Sequence, residues 1–96
     1  MRGLVYTGTQ MSEIQDLDEP IAGAEQVLVD IACCGICGSD MHAWHGHDER
    51  RIPPLVLGHE AVGTVRGGEL AGKRVAINPL MSCDNCQFCN GGNEHL

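Results

Sequence analysis

The sequence predicts a mainly β fold: a distorted barrel that does not close, carrying an irregular cysteine-rich lobe over residues 80–96. Three observations predict it. Short apolar runs, the clearest at residues 25–32, alternate with polar positions at the period of a strand. Thirteen glycines and four prolines break the chain into short pieces. From Met81 onward the pattern loses all periodicity while Cys83, Cys86 and Cys89 recur at fixed spacing. A chain of 96 residues makes at most one small domain with a limited core. Bound metal is a common remedy, since its binding free energy becomes folding free energy.

Taken in order, residues 2–7 read as a first strand and Gly8-Thr9 as a turn. The acidic run from Glu13 to Glu19 reads as a solvated face that ends at Pro20, and Ala22-Gly23-Ala24 as a bend. In the strand expected at 25–32, Val27, Val29 and Ile31 share one face and Leu28 and Asp30 the other. Cys33-Cys34-Gly35 then allows a sharp change of direction. Residues 39–43 suit a single helical turn capped by Ser39 or Asp40. A polar loop from His45 to Arg51 closes on Pro53-Pro54, and Leu55-Val56-Leu57 leads to Gly58-His59-Glu60. Strands are expected again at 61–66 and 73–77, with Gly67-Gly68 as the hairpin-like turn between them.

The formal charge of −7 excludes the clustered basic face that nucleic acid or an anionic membrane would need. The basic pairs Arg50-Arg51 and Lys73-Arg74 are too short to supply one. The first residues lack the apolar region of a signal peptide, and no apolar run approaches the roughly 20 residues of a membrane span. Six cysteines without an export signal fit metal ligands in a reducing cytoplasm better than three disulfides.

Two ligand clusters of different composition follow. Cys37, His59 and Glu60 offer one thiolate, one imidazole and one carboxylate, the open set that suits a catalytic zinc. Gly35, Gly38 and Gly58 beside them let backbone approach the ion closely. Cys83, Cys86 and Cys89 form a C-x2-C-x2-C run, which suits a structural zinc but supplies only three of its four thiolates. The fourth must come from elsewhere, or from beyond the point where the chain stops.

The strings Cys34-Gly35-Ile36-Cys37-Gly38-Ser39-Asp40 and Gly58-His59-Glu60-Ala61-Val62-Gly63, followed by the triple cysteine, resemble the zinc-containing medium-chain alcohol and polyol dehydrogenases. The resemblance runs over essentially the whole chain and implies a GroES-like catalytic domain whose remainder, with a Rossmann domain binding NAD or NADP, lies outside these 96 residues. The structural lobe of that family reads C-x2-C-x2-C-x7-C, which would place the fourth cysteine at the position after Leu96. By the same resemblance Cys37, His59 and Glu60 hold the catalytic zinc and Cys83, Cys86 and Cys89 the structural one. Ser39 receives the substrate proton, and Asp40 orients the metal-binding imidazole. His42 passes the proton outward and lies toward the cofactor, while Ser39, Ala43 and Trp44 border the substrate pocket. Ser39 after Gly38 resembles the sorbitol- and idonate-type branch. The compact hairpin over 67–74, with Lys73 where the family carries aspartate, departs from the pattern.

The activity implied is oxidation of a secondary alcohol or polyol to a ketone, through a zinc alkoxide and hydride transfer to the nicotinamide, in a cytoplasmic homo-oligomer (dimer or tetramer). The 96 residues alone are expected to be inactive. A zinc-stabilised interaction module without catalysis is the alternative, and a zinc-independent reductase of the same superfamily a further one. Cys34-Gly35-Ile36-Cys37 is also a C-x-x-C, but the βαβ context of a thioredoxin-like site is missing. His45 and His47 with Asp48 read as a solvated loop or an additional metal site.

Overall fold

The computed structural model describes residues 1–95; Leu96, the last residue of the expected lobe, lies outside them. Two separate three-stranded antiparallel sheets carry the fold. In the first, β1 (Arg2–Gly8) lies between β2 (Met11–Asp16) and β4 (Leu55–Val56). In the second, β5 (Glu60–Arg66) lies between β3 (Leu28–Gly35) and β6 (Arg74–Ala76). A short helix α1 (Gly38–Trp44) follows β3, and a single turn α2 (Gln87–Asn90) sits among the last cysteines. The fold is mainly β, and among the described residues the sheets do not close into a barrel.

The acidic run is the first correction. Met11–Asp16 is a strand, paired with β1 from Arg2↔Asp16 to Tyr6↔Ser12. Its side chains are mostly exposed, as a solvated face requires, but backbone hydrogen bonds to β1 rather than an apolar stripe make it a strand. Leu55–Val56 is likewise held by its ladder to Val5 and Tyr6 and carries too little pattern to announce itself. The strand expected at 25–32 lies three residues later, so Cys33 to Gly35 belong to it instead of bending away. Its register explains why: β3 pairs β5 from Leu28↔Arg66 to Gly35↔Glu60, with Ala32 as the extra residue of a bulge between Ile31 and Cys33. Helix α1 begins on Cys37, not on Ser39 or Asp40. The last lobe also contains one helical turn that its aperiodic sequence conceals.

The core is small, as the length demands: Val5, Tyr6, Ala43 and Val65 are buried together with the carboxylate of Asp40. Val27 before β3, Ile31 within it and Val62 of β5 stay exposed, so this part of the second sheet does not meet a covering layer among the described residues. Arg66 of β5 ties the second sheet to the preceding loop by pairing with both Asp30 and Glu19. Those two carboxylates hold its guanidinium above the ordinary arginine range, Asp30 first, and Asp30 is lowered in turn. No helix among the described residues is long and apolar enough to cross a membrane.

Candidate metal centres

The first centre is built at one end of the β3–β5 ladder. Cys37 follows β3 by two residues, and Glu60 opens β5 opposite Gly35 with His59 just before it, so two neighbouring strand ends deliver all three donors. One ligand atom each from Cys37, His59 and Glu60 lie within 4.8 Å of one another. Gly58 makes the approach possible: its φ is +111°, and a Cβ there would stand 2.7 Å from the Cys34 sulfur. A side chain at that position would be strained by both conformation and space.

Asp40 organises this centre. Three residues into α1 from its N-cap, its Oδ2 accepts the Cys37 backbone N–H at 3.0 Å, which fixes the start of the helix and the place of Cys37. Its Oδ1 faces His59 Nδ1 at 3.3 Å and accepts from Arg51 Nη1 at 3.4 Å. With Nδ1–H donating to the carboxylate, the His59 tautomer is set and Nε2 is left to bind a metal, the outer-sphere pattern of zinc imidazoles. Ser39 Oγ lies 3.4 Å from that same Nε2, at the edge of the metal position. Arg51 also donates to the Ser39 carbonyl at 3.3 Å, bracing both residues from the polar loop. Sequence reading missed Arg51, because nothing in a basic pair within a solvated loop signals a partner eleven residues away.

The remaining expected site residues are placed differently. His42 is exposed and its ring meets that of His47 edge-on at 5.3 Å; no hydrogen bond joins it to Ser39 among the described residues. Ala43 is fully buried in the core, whereas Trp44 lines a cleft of about 930 Å³ between the two sheets, together with Cys34, Ile36, Asp40 and Met41.

The second centre gathers Cys83, Cys86 and Cys89, whose sulfurs also lie within 4.8 Å of one another. Asp84, at φ +56°, turns the chain after Cys83, and Cys86 caps α2 by accepting the Cys89 N–H at 3.4 Å. The Asn85 N–H points at the Cys83 sulfur at 3.5 Å. These donors favour thiolates: the Cys89 backbone N–H foremost, then the Cys89 and Cys83 thiols, lower Cys86 to about 7. Sulfurs on one tetrahedral zinc lie about 3.8 Å apart, given Zn–S bonds of about 2.3 Å. The 3.6 Å between Cys83 and Cys89 matches that edge, so the donor chemistry and spacing fit zinc with one position for a further ligand.

The model of the alcohol dehydrogenase GroES-like domain matches residues 23–96. The chain belongs to that family. It is 39% identical over 79 residues to the L-galactonate-5-dehydrogenase of Escherichia coli K12, covering 76% of this chain and 23% of the relative. Against the L-threonine 3-dehydrogenase of Vibrio vulnificus it is 37% identical over 99 residues, covering 93% of this chain and 28% of the relative. An alcohol dehydrogenase of Escherichia coli CFT073, solved with its cofactor NADH, superposes with a TM-score of 0.87 at 33% identity, over 98% of this chain and 29% of that one. The chain therefore spans less than a third of the length of these relatives. The two separate sheets and the cysteine cluster are this family's fold as it stands in these residues.

The two centres are separable by experiment. In protein reconstituted with zinc, Cys86→Ser is expected to remove one equivalent and leave the ion at Cys37 and His59 in place. Elemental analysis of wild type and variant checks this; an unchanged zinc content would remove the lobe from the ligand list.

Proposed function

We propose that this chain is the substrate- and zinc-binding part of a zinc-dependent NAD(P) oxidoreductase that oxidises a secondary alcohol or polyol to a ketone. The observation that carries the reading is the meeting of Cys37, His59 and Glu60 with the Ser39 hydroxyl 3.4 Å from His59 Nε2. Zinc would supply the charge that lowers the pKa of a substrate hydroxyl, and a nicotinamide held outside these residues would accept the hydride. Ser39 Oγ, at the edge of the metal position, takes the hydroxyl proton as it hands its own on. His42, exposed at the far end of the same helix, passes that proton to solvent with water completing the path. Asp40 keeps His59 oriented throughout. Trp44, on the cleft wall, faces the substrate with Ser39. Residues 80–96 act as a structural lobe that takes no part in the chemistry.

The matched family model, together with dehydrogenase relatives of named small-molecule substrates, supports the reaction class. The same reading gives a cytoplasmic homo-oligomer with no nucleic-acid partner, in keeping with an acidic chain. Ser39→Ala in the enzyme that carries this chain is expected to retain zinc yet lose about a hundredfold in turnover, the scale of a positioned proton-transfer group. His42→Ala should lower the maximal rate less and change the pH–rate profile more. A fully active Ser39→Ala with zinc intact would overturn the assignment.

A further inference from the structure

Two arginines stand side by side in the loop after α1, and their surroundings separate them. Arg50 leaves 90% of its side chain in solvent and pairs with Asp48. Arg51 turns inward, with 29% exposed, and meets three acceptors on two edges of its guanidinium. On one edge, Nη1 donates to the Ser39 carbonyl at 3.3 Å and to Asp40 Oδ1 at 3.4 Å. On the other, Nε lies 3.6 Å from Asp48 Oδ2. Asp48 is fixed in turn: its Oδ1 accepts the Arg50 N–H at 3.0 Å, and its carbonyl accepts the Arg51 N–H at 3.2 Å, closing the turn from which Arg51 projects. Arg50 foremost holds Asp48 below the usual carboxylate range, so it faces Arg51 as an anion.

We propose that Arg51 is a positioning residue of the Cys37–His59 centre, which locks the Asp40 carboxylate on His59 and holds Ser39 at a fixed distance from the metal position. This role rests on the reading of Cys37, His59 and Glu60 as the catalytic metal position. Asp40 has two oxygens and three partners. Its Oδ2 is taken by the Cys37 N–H at 3.0 Å, and its Oδ1 serves both His59 Nδ1 at 3.3 Å and Arg51. A carboxylate tethered through Oδ2 alone still turns about its last single bond, a soft torsion, and turning draws Oδ1 away from the imidazole. A second donor on Oδ1 closes that freedom. Because the same Nη1 also meets the Ser39 carbonyl, the proton-handling serine and the carboxylate that orients the imidazole share one support. Ser39 Oγ stands 3.4 Å from His59 Nε2, and a displacement of about 1 Å at such a group costs about a hundredfold in rate. Asp40 is buried and Asp48 half-buried, so water does not readily stand in for the guanidinium. The fork matters as well as the charge: a planar guanidinium reaches acceptors on two edges, which the point charge of a lysine cannot span.

The test is a double-mutant cycle in the zinc-loaded enzyme that carries this chain, read by competition against a chelator. Arg51→Ala is expected to weaken zinc at the Cys37–His59 centre by about tenfold and to leave the lobe's ion untouched. In an Asp40→Ala background the same change should cost less than about twofold, because its route is gone. Arg51→Lys, which keeps the charge and loses the fork, should recover only part of the affinity. In turnover, Arg51→Ala should lower kcat and kcat/KM together with KM nearly unchanged, as displacement of Ser39 requires. Unchanged zinc affinity in Arg51→Ala, or an equal loss with and without Asp40, would overturn the role, and full affinity in Arg51→Lys would overturn the fork as its basis. Failure of the alcohol-oxidising reading has a different sign: the wild type would turn over no alcohol while the zinc cycle still showed the coupling.

Discussion

Cys37→Ala is expected to reduce turnover of the enzyme that carries this chain to background and to empty the catalytic metal position, while the lobe keeps its ion. Removing the thiolate leaves one imidazole and one exposed carboxylate, a set that holds zinc poorly against water and chelators. The damage should stay local. Cys37 contributes its backbone N–H, not its sulfur, to the bond with Asp40, so α1 should still start where it does. Steady-state rates and zinc per subunit, measured on the same preparation, decide the matter. A variant that keeps both the second zinc and measurable turnover would show that Cys37 is not a ligand.

Asp40→Ala should be nearly as severe by a different route. The side chain is only 7% exposed and answers Cys37 N–H, His59 and Arg51 at once. Truncation leaves the part-buried Cys37 N–H short of an acceptor, at about 1–3 kcal/mol for an unsatisfied group, while Arg51 keeps Asp48 and the Ser39 carbonyl. His59 also loses what sets its tautomer, and such losses weaken zinc binding by about 10–100-fold. Competition against a colorimetric chelator should register the affinity, and thermal unfolding the stability. Asp40→Asn keeps the shape and one accepting oxygen, so it should fall between wild type and alanine in both. Zinc affinity unchanged in Asp40→Ala would dismiss the orienting role.

The two donor clusters were legible because metal chemistry restricts residue type and spacing so tightly. Cys37, His59 and Glu60 come within 4.8 Å of one another, and Cys83, Cys86 and Cys89 cluster within one short loop. The strands with apolar alternation were legible too, though β3 was displaced because a bulge at Ala32 breaks the period that sequence reading relies on. What stayed hidden depends on long-range partners. Strand β2 has no apolar stripe and exists through its ladder to β1. Arg51 has no local signature and gains meaning from Asp40, which folding brings beside it. Asp40 was read as an imidazole-orienting group from family likeness; its second duty, fixing the first turn of α1, emerges from the backbone.

The bulge at Ala32 has a consequence for how such a chain can evolve. Pairing runs in one register up to Ile31↔Gly63 and in another from Cys33↔Val62 onward, so the unpaired Ala32 can absorb a change of length that the pairs leading to Cys37 do not feel. Deleting Ala32 would restore an unbroken ladder and leave Cys33↔Val62 to Gly35↔Glu60 paired as they are, whereas a residue lost beyond Gly35 would draw Cys37 back by one position against His59, about 3.3 Å along an extended chain. That step exceeds the whole length of a metal–ligand bond, about 2.0–2.3 Å. Length can therefore change at the bulge, while insertions and deletions between Gly35 and Cys37 are closed to the lineage. In a collection of descendants of this sequence, alignment gaps should cluster in the loop over 67–73 and at Ala32, and be missing between Gly35 and Cys37.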